Sequence, residues 1–196
     1  MTRIGTFDGT AFLSDITTDG ATLFLRARPA NDARWHLYRL ATAGDARPAE
    51  IAAATSSNAW NIAISPNGRW LAYGVGGGGG KDLELFVQSV DPGGGRVPIS
   101  ANGMEPHWSP DGRDIHFVQN NRLFTVSVGA GVTPSPGRPR RLPVETLPSA
   151  VESGQTYDVD RKTGRLLIMQ AMSDRPTTPE VRFLLNGYTD IGRGAR

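Results

Sequence analysis

Histidine and aspartate are the residues of this sequence whose side chains could serve a metal or catalytic site. The histidines are His36, His107 and His116, and no two of them have the i, i+2 or i, i+4 spacing of a ligand pair. A zinc site needs a third protein ligand, and the spacing suggests none beside His107 and His116. Asp158 and Asp160 have the spacing that places two carboxylates on one face of a strand, but no calcium-loop glycine accompanies them. The sequence therefore predicts no metal site.

A glycine-rich run from Gly74 to Gly79 matches the G-x-G-x-x-G pattern of dinucleotide-binding loops. That chemistry needs a helix to begin after the glycines, whereas Leu83-Glu84-Leu85 alternates like a β-strand. Gly80-Lys81 also fails as a P-loop, because Asp82 stands where Ser or Thr would bind magnesium. No G-x-S-x-G nucleophile motif occurs. The sequence predicts no cofactor and no catalytic residue, so we expect the chain not to be an enzyme.

Charge and composition restrict the class of partner. The net charge of +2 is too small to indicate a nucleic-acid or membrane partner. The dense basic cluster Arg138-Pro139-Arg140-Arg141 is expected to be a solvated loop and a charged edge strand, which hinders pairing between sheets. No stretch approaches the roughly 18 apolar residues of a membrane-spanning helix.

The compartment is not fixed by the sequence. The chain has no cysteine, which excludes disulfides and thiol chemistry but suits either side of a membrane. The segment from Met1 to Asp8 has no apolar signal-peptide core, so the chain as written is expected to be cytoplasmic. If it is a piece of a longer protein, a periplasmic or other extracytoplasmic location is expected.

A short turn motif occurs four times and indicates a repeat protein. Its glycines are Gly20, Gly68, Gly112 and Gly164, and the two clearest copies are Ser65-Pro66-Asn67-Gly68 and Ser109-Pro110-Asp111-Gly112. Ser caps the turn, Pro fixes φ at the second position, Asn or Asp suits the third, and Gly supplies a positive φ. The first copy ends in Asp19-Gly20 without proline, and the fourth is one residue longer. The motif predicts a strand, a tight turn and a second strand in each copy.

Apolar residues follow each glycine with the two-residue period of a β-strand. The third and fifth positions after the glycine are Leu23 and Leu25, Leu71 and Tyr73, Ile115 and Phe117, and Leu167 and Met169. A third apolar run and a weaker fourth run complete each of the first three units, whereas the fourth unit lacks the last run. Four short antiparallel strands per unit predict the blade of an all-β propeller.

The motif Trp108-Ser109-Pro110-Asp111-Gly112-Arg113, with Ile115-His116-Phe117 after it, resembles the TolB-like β-propeller repeat. Ile64-Ser65-Pro66-Asn67-Gly68-Arg69 is a second good match. The region from Gly137 to Asn186 is similar to the last blades of propellers at the C-termini of bacterial sensor proteins and membrane-linked Ser/Thr kinases. The resemblance implies one β-propeller domain over 1–196, with about four blades at 11–53, 58–101, 104–144 and 155–188.

The number of blades leaves the closure of the ring open. TolB-like propellers usually have six or more blades, so four blades suggest a partial or open propeller, completed by self-association or by additional blades. Residues 1–10 could supply the outer strand that closes a small ring. They could equally be the outer strand of a missing preceding blade.

Two classes of function follow from the resemblance. The first is a non-catalytic scaffold for protein–protein interaction or ligand sensing, with a protein or peptide as partner. The second is an accessory propeller that gates the active site of a peptidase or hydrolase whose catalytic domain is not in this chain. Trp60, Trp108 and His107 lie just before the turn motifs, where they either pack between blades or form a binding surface.

Overall fold

The computed structural model describes residues 5–44, 46–51, 58–76, 83–91, 95–129, 133–144, 146–147, 155–169 and 183–185. All secondary-structure elements assigned in these ranges are β-strands. Within the same ranges, no helix is long and apolar enough to cross a membrane. Residues 77–82, which include the second half of the glycine-rich run, lie outside the described residues. Gly74 and Gly76 belong to a strand.

The strands form four separate sheets. The first contains β1 (Gly9–Ile16), β2 (Thr22–Pro29), β3 (His36–Ala41) and β4 (Ala49–Glu50). The second contains β5 (Asn58–Ile64), β6 (Trp70–Gly76), β7 (Glu84–Ser89) and β8 (Arg96–Ser100). The third contains β9 (Met104–Trp108), β10 (Asp114–Gln119), β11 (Arg122–Ser127) and β12 (Arg140–Arg141). The fourth contains β13 (Tyr157–Val159), β14 (Leu166–Met169) and β15 (Phe183–Leu185).

Each sheet is an antiparallel meander in which neighbouring strands follow the order of the chain. This arrangement confirms the predicted all-β propeller blades. In the fourth sheet the described residues supply three strands. The charged edge is confirmed as well, because Arg140 and Arg141 form the exposed outer strand of the third sheet.

Three apolar clusters join consecutive sheets face to face. Phe24 and Leu37 of the first sheet pack with Leu71 and Tyr73 of the second. A second cluster joins the second and third sheets, and a third cluster joins the third and fourth. Among the described residues, no apolar cluster joins the fourth sheet to the first. Within the described residues, three apolar interfaces therefore hold the four sheets together, and this burial is the main stabilising contribution.

The face of the first sheet that points away from the second sheet is covered by the chain that precedes β1. Phe7 packs edge-on against Tyr38, with 5.1 Å between ring centroids, and contributes to a small cluster around Leu25 and Leu40. Gly5 forms a parallel bridge with Ala46. Residues 5–7 thus lie against the first sheet itself, whereas residues 1–4 of the suggested closing strand lie outside the described part of the chain.

The turn motif has the conformation that its residue types predict. Ser65 Oγ donates to Asn67 Oδ1 at 2.7 Å and accepts from Trp70 N at 2.9 Å, and Gly68 N donates to Ser65 O at 2.8 Å. Equivalent bonds form in the turns that begin at Thr17 and Ser109. The motif glycines have φ of 71°, 72°, 69° and 72° at Gly20, Gly68, Gly112 and Gly164, which confirms the predicted positive φ.

The fourth turn changes the register that the sequence predicts. Its extra residue lies before the glycine, where Gly164 N donates to Asp160 O at 2.8 Å across four residues. The hydrogen bond that closes the turn is therefore reached one position sooner after the glycine, since Asp160 N donates to Arg165 O, and Leu166 and Ile168 are the buried residues. The apolar third and fifth positions after Gly164, Leu167 and Met169, are only partly buried, because a shift of one residue exchanges the two faces of a strand.

Candidate functional site

The first strands of the four sheets surround one cavity of about 910 Å³. Its wall includes residues 12–15 of β1, 61–64 of β5, 105–108 of β9 and 158–162 around the end of β13. Each sheet thus contributes its inner strand, as expected for the central funnel of a propeller.

Irregular backbone shapes this wall. The pairing of β1, β5 and β9 with their neighbours shifts register within each strand, which marks a β-bulge. Asn61 and Glu105 adopt positive φ values of 42° and 52°, each seven residues before its motif glycine. A bulge redirects side chains, so polar groups such as those of Asp15 and Glu105 reach backbone donors on the next sheet.

The turns stack at one end of the cavity. Thr18 Oγ1 donates to Pro66 O at 3.1 Å, which joins the first turn to the second. A Cβ atom placed on Gly112 would lie 3.5 Å from Pro66 Cδ, and one on Gly164 would lie 3.4 Å from Pro110 Cδ. Pro66 and Pro110 therefore each contact the following turn, in addition to fixing φ within their own turn.

Asp15 connects three parts of the array. Its carboxylate accepts hydrogen bonds from Ile64 N at 2.8 Å and from Ile16 N at 2.7 Å. The guanidinium of Arg161, on the fourth turn, contacts the Asp15 carboxylate and donates to Ile16 O at 3.3 Å. This contact links the fourth turn to the first strand across the cavity, although no apolar cluster joins their sheets within the described residues.

Glu105 performs a similar role between the third and fourth sheets. Its Oε2 accepts from Thr156 N at 2.7 Å and from Thr156 Oγ1 at 2.8 Å, while Tyr157 Oη donates to Glu105 O at 2.6 Å. Oε1 is buried without a hydrogen-bond partner in the described structure. Burial raises the pKa of Glu105, and the two bonds from Thr156 partly oppose that increase.

His107 lies on the cavity wall beside Asp158, with 3.5 Å between Nδ1 and Oδ1. Its ring packs edge-on against Tyr157 at 4.8 Å between centroids. Burial lowers the pKa of His107, and the nearby carboxylate of Asp158 acts in the opposite direction. His116 pairs with His107 across β9 and β10.

No group of three or more metal-ligating side chains suited to an ion occurs among the described residues. Asp158 and Asp160 both line the cavity. Asp160 Oδ1 accepts from Lys162 N at 2.7 Å and from Thr163 N at 3.1 Å, so this carboxylate closes the fourth turn. Those bonds lower the pKa of Asp160.

The two tryptophans singled out from the sequence have different surroundings. Trp108 lines the cavity but is only 6% exposed, and its indole Nε1 donates to Ala63 O at 3.1 Å. Trp60 lies between the first two sheets, with the Arg26 guanidinium 3.8 Å from its ring centroid. Both remain predicted binding residues, and most of the Trp108 side chain packs between the second and third sheets.

Sequence reasoning missed Asp15, Glu105 and Arg26. Asp15 and Glu105 lie five and seven residues before a motif glycine, so aligning the four copies by their glycines would have placed both on inner strands. No local signal marks Arg26, because its aromatic neighbours come from other parts of the chain.

Comparison with solved structures defines the class of fold. No protein-family model matches this sequence, and no match was found among curated proteins. A structure described as TolB from Agrobacterium tumefaciens is 18% identical, with a TM-score of 0.61 over 87% of this chain and 58% of that one. TolB from Acinetobacter baumannii is 11% identical, with a TM-score of 0.62 over 92% of this chain and 42% of that one.

A puromycin hydrolase is 14% identical, with a TM-score of 0.57 over 83% of this chain and 28% of that one. The molecule thus has a β-propeller fold similar to that of the two TolB structures. The chain spans between about a quarter and three fifths of the length of these structures.

Proposed function

We propose that this protein is a non-catalytic binding module that takes up a peptide segment of a partner protein in its central cavity. The observation that carries the proposal is the cavity of about 910 Å³, to which the inner strands of all four sheets contribute. Concave sites between repeated elements are where proteins commonly bind ligands.

Exposed apolar groups beside polar ones favour a peptide over a small polar metabolite. Phe12 and Leu13 on β1 are 55% and 65% exposed and line the cavity. Large exposed apolar side chains that cluster in a concavity commonly mark an interaction surface. The polar groups nearby include Asp158, Arg161 and Lys162, which can bind the backbone and charged side chains of a peptide.

The test is selection of peptides from a random library on the purified full chain, repeated with Ser14→Trp. Ser14 is exposed on β1, so tryptophan at this position fills the cavity without disturbing a buried side chain. Ala49→Trp is the matched control, because Ala49 is exposed on the outer strand β4. We expect Ser14→Trp to abolish binding of the selected peptides and Ala49→Trp to leave it unchanged. Failure to select any peptide, or equal binding by both variants, would contradict the proposal.

A second candidate is an accessory propeller that gates the active site of a hydrolase. The match to a puromycin hydrolase, of which this chain covers 28%, favours it. Mass spectrometry of the protein from its native cells tests this candidate. A polypeptide several hundred residues longer, with a catalytic domain, would support it, and a native mass of 21.0 kDa would exclude it.

We further propose that the array is completed by additional blades or by a second copy of the chain. Three apolar interfaces among four sheets leave the far face of the fourth sheet, with Leu167 and Met169, uncovered by any described cluster. Size-exclusion chromatography with light scattering and an apolar dye tests this. A dimer or a dye-binding monomer is expected, and a monomer without dye binding would refute it.

A further inference from the structure

Arg26 occupies an unusual position in the cavity wall. It lies on β2, opposite Phe12 of β1, on the side of the first sheet that faces the second. Its guanidinium carbon is 3.8 Å from the ring centroid of Trp60 and 4.3 Å from that of Trp35. Two indole rings thus hold one cation in place, and cation–π attraction is strongest for tryptophan.

This cation has no counter-ion in the described structure. No carboxylate among the described residues lies within 4.0 Å of the Arg26 guanidinium, although six other close pairs of acidic and basic groups occur there. Arg26 Nε and Trp60 Nε1 are both buried without an acceptor. Burial also lowers the pKa of Arg26. Arg26 is partly buried, and a buried N–H donor without an acceptor is costly, so such a site favours binding of an acceptor.

Apolar surface lies next to this unpaired cation. Phe12 is 55% exposed, its ring centroid is 5.4 Å from that of Trp35, and Leu13 beside it is 65% exposed. A ligand that reaches Arg26 can therefore place an apolar group on Phe12, which pairs with Arg26 and lies on the same face of the first sheet. A guanidinium stacked on aromatic rings keeps its in-plane N–H groups as donors, and their geometry matches a carboxylate.

The remaining charges around the cavity argue against a polyanion. Its acidic groups are those of Asp15, Glu105, Asp158 and Asp160, and its basic groups are those of Arg26, Arg161 and Lys162. A nucleic acid or polyphosphate would bring several negative charges towards four carboxylates. A ligand with one carboxylate needs only one cation, and Arg26 is the guanidinium of the cavity wall that has no carboxylate partner among the described residues, since Arg161 pairs with Asp15.

We infer that Arg26 binds a carboxylate of the peptide partner, while Phe12 contacts an apolar side chain next to it. The inference rests on the proposed peptide-binding function and adds the chemical class that the cavity selects. An acidic side chain and a free C-terminus both provide this carboxylate, so the experiment separates these two sources.

Three five-residue peptides serve as probes for the full chain. Each has an acetylated N-terminus and contains one Leu-Phe pair. The first has one glutamate and an amidated C-terminus, the second has glutamine and a free C-terminal carboxylate, and the third has glutamine and an amidated C-terminus. Isothermal titration calorimetry measures each affinity. Because a hydrogen bond to a charged group contributes about 1.5–3 kcal/mol, at least one acidic peptide should bind about tenfold or more tightly than the neutral peptide.

Arg26→Gln should abolish this preference. Arg69→Gln is the matched control, since Arg69 also lies over a tryptophan, 5.9 Å from the Trp70 ring centroid, but outside the cavity wall. It should retain the wild-type preference. If circular dichroism shows that Arg26→Gln does not fold, Arg26→Lys keeps the charge without the planar fork, and its preference should be weaker than that of the wild type.

Equal affinity of the wild type for all three peptides, or an undiminished preference in the folded Arg26 variants, would overturn the inference. If none of the three peptides binds while library-selected peptides are blocked by Ser14→Trp, the carboxylate inference fails and the proposed function stands. If no peptide of either kind binds, both fail.

Discussion

Asp15 is a polar side chain whose removal should weaken the array of sheets markedly. It is 9% exposed and accepts a hydrogen bond from Ile64 N, on the buried end of β5, at 2.8 Å. Replacement by alanine leaves that amide without an acceptor and also releases Arg161. One carboxylate thus connects the first sheet with the second and with the fourth turn.

The magnitude follows from these contacts. A hydrogen bond to a charged group contributes about 1.5–3 kcal/mol, and an exposed ion pair about 0–1 kcal/mol. We expect Asp15→Ala to lower the free energy of unfolding by about 3 kcal/mol, and Asp15→Asn, which keeps an oxygen acceptor, by about 1 kcal/mol. Arg161→Ala should cost less than about 1 kcal/mol, because Arg161 is 59% exposed.

Urea unfolding at neutral pH, followed by far-ultraviolet circular dichroism and by tryptophan fluorescence, measures these differences. Coincident transitions from the two probes show that the sheets unfold together, as an array with three apolar interfaces should. Equal destabilisation by Asp15→Ala and Arg161→Ala would refute the reasoning, because the bond to Ile64 N would then contribute nothing.

Three further changes test individual contacts. Trp108→Phe should lower the free energy of unfolding by about 2 kcal/mol, since it removes both buried ring area and the bond to Ala63 O; a loss below about 0.5 kcal/mol in urea unfolding would contradict this. Burial raises the pKa of Glu105, so the contribution of this side chain to stability declines as pH rises above 4.5 through the folded-state pKa. Glu105→Gln should therefore flatten that part of the stability–pH curve. An unchanged slope would contradict the raised pKa of Glu105. The hydrogen bond from Ser109 Oγ, followed by that from Arg113 N, lowers the pKa of Asp111, so the contribution of Asp111 to stability is lost as pH falls below 3.8. Asp111→Asn should fold, because Asn67 occupies the same position in the second turn. The variant should lose less stability in acid than the wild type does.

The sequence predicted the parts of this fold that depend on local chemistry. The turns at Ser65 and Ser109 form as expected because all their hydrogen bonds lie within six residues. The two-residue apolar period predicted strands of the first three sheets because side chains alternate between the two faces within a single strand. The fourth turn was placed one residue out of register, since a longer turn can hold its extra residue on either side of the glycine.

The candidate site could be predicted only in part. His107, Trp60 and Trp108 lie on inner strands, as their spacing from the motif glycines indicated. Arg26 could not be found in this way, because its position between Trp35 and Trp60 arises when two sheets pack together. The positive φ of Glu105 was equally hidden, as a non-glycine residue in a bulge carries no sequence signal.

Protection of single cysteines from a maleimide reagent tests most directly whether the cavity is the binding site. The chain has no cysteine of its own, so Ser14→Cys, Lys162→Cys and Ala49→Cys each introduce one reactive thiol. The first two lie on the cavity wall, contributed by the first and fourth sheets, and the third lies on an outer strand. A saturating library-selected peptide should slow the labelling of Ser14→Cys and Lys162→Cys and leave that of Ala49→Cys unchanged. Unchanged labelling at both cavity positions would contradict a binding site formed by the inner strands.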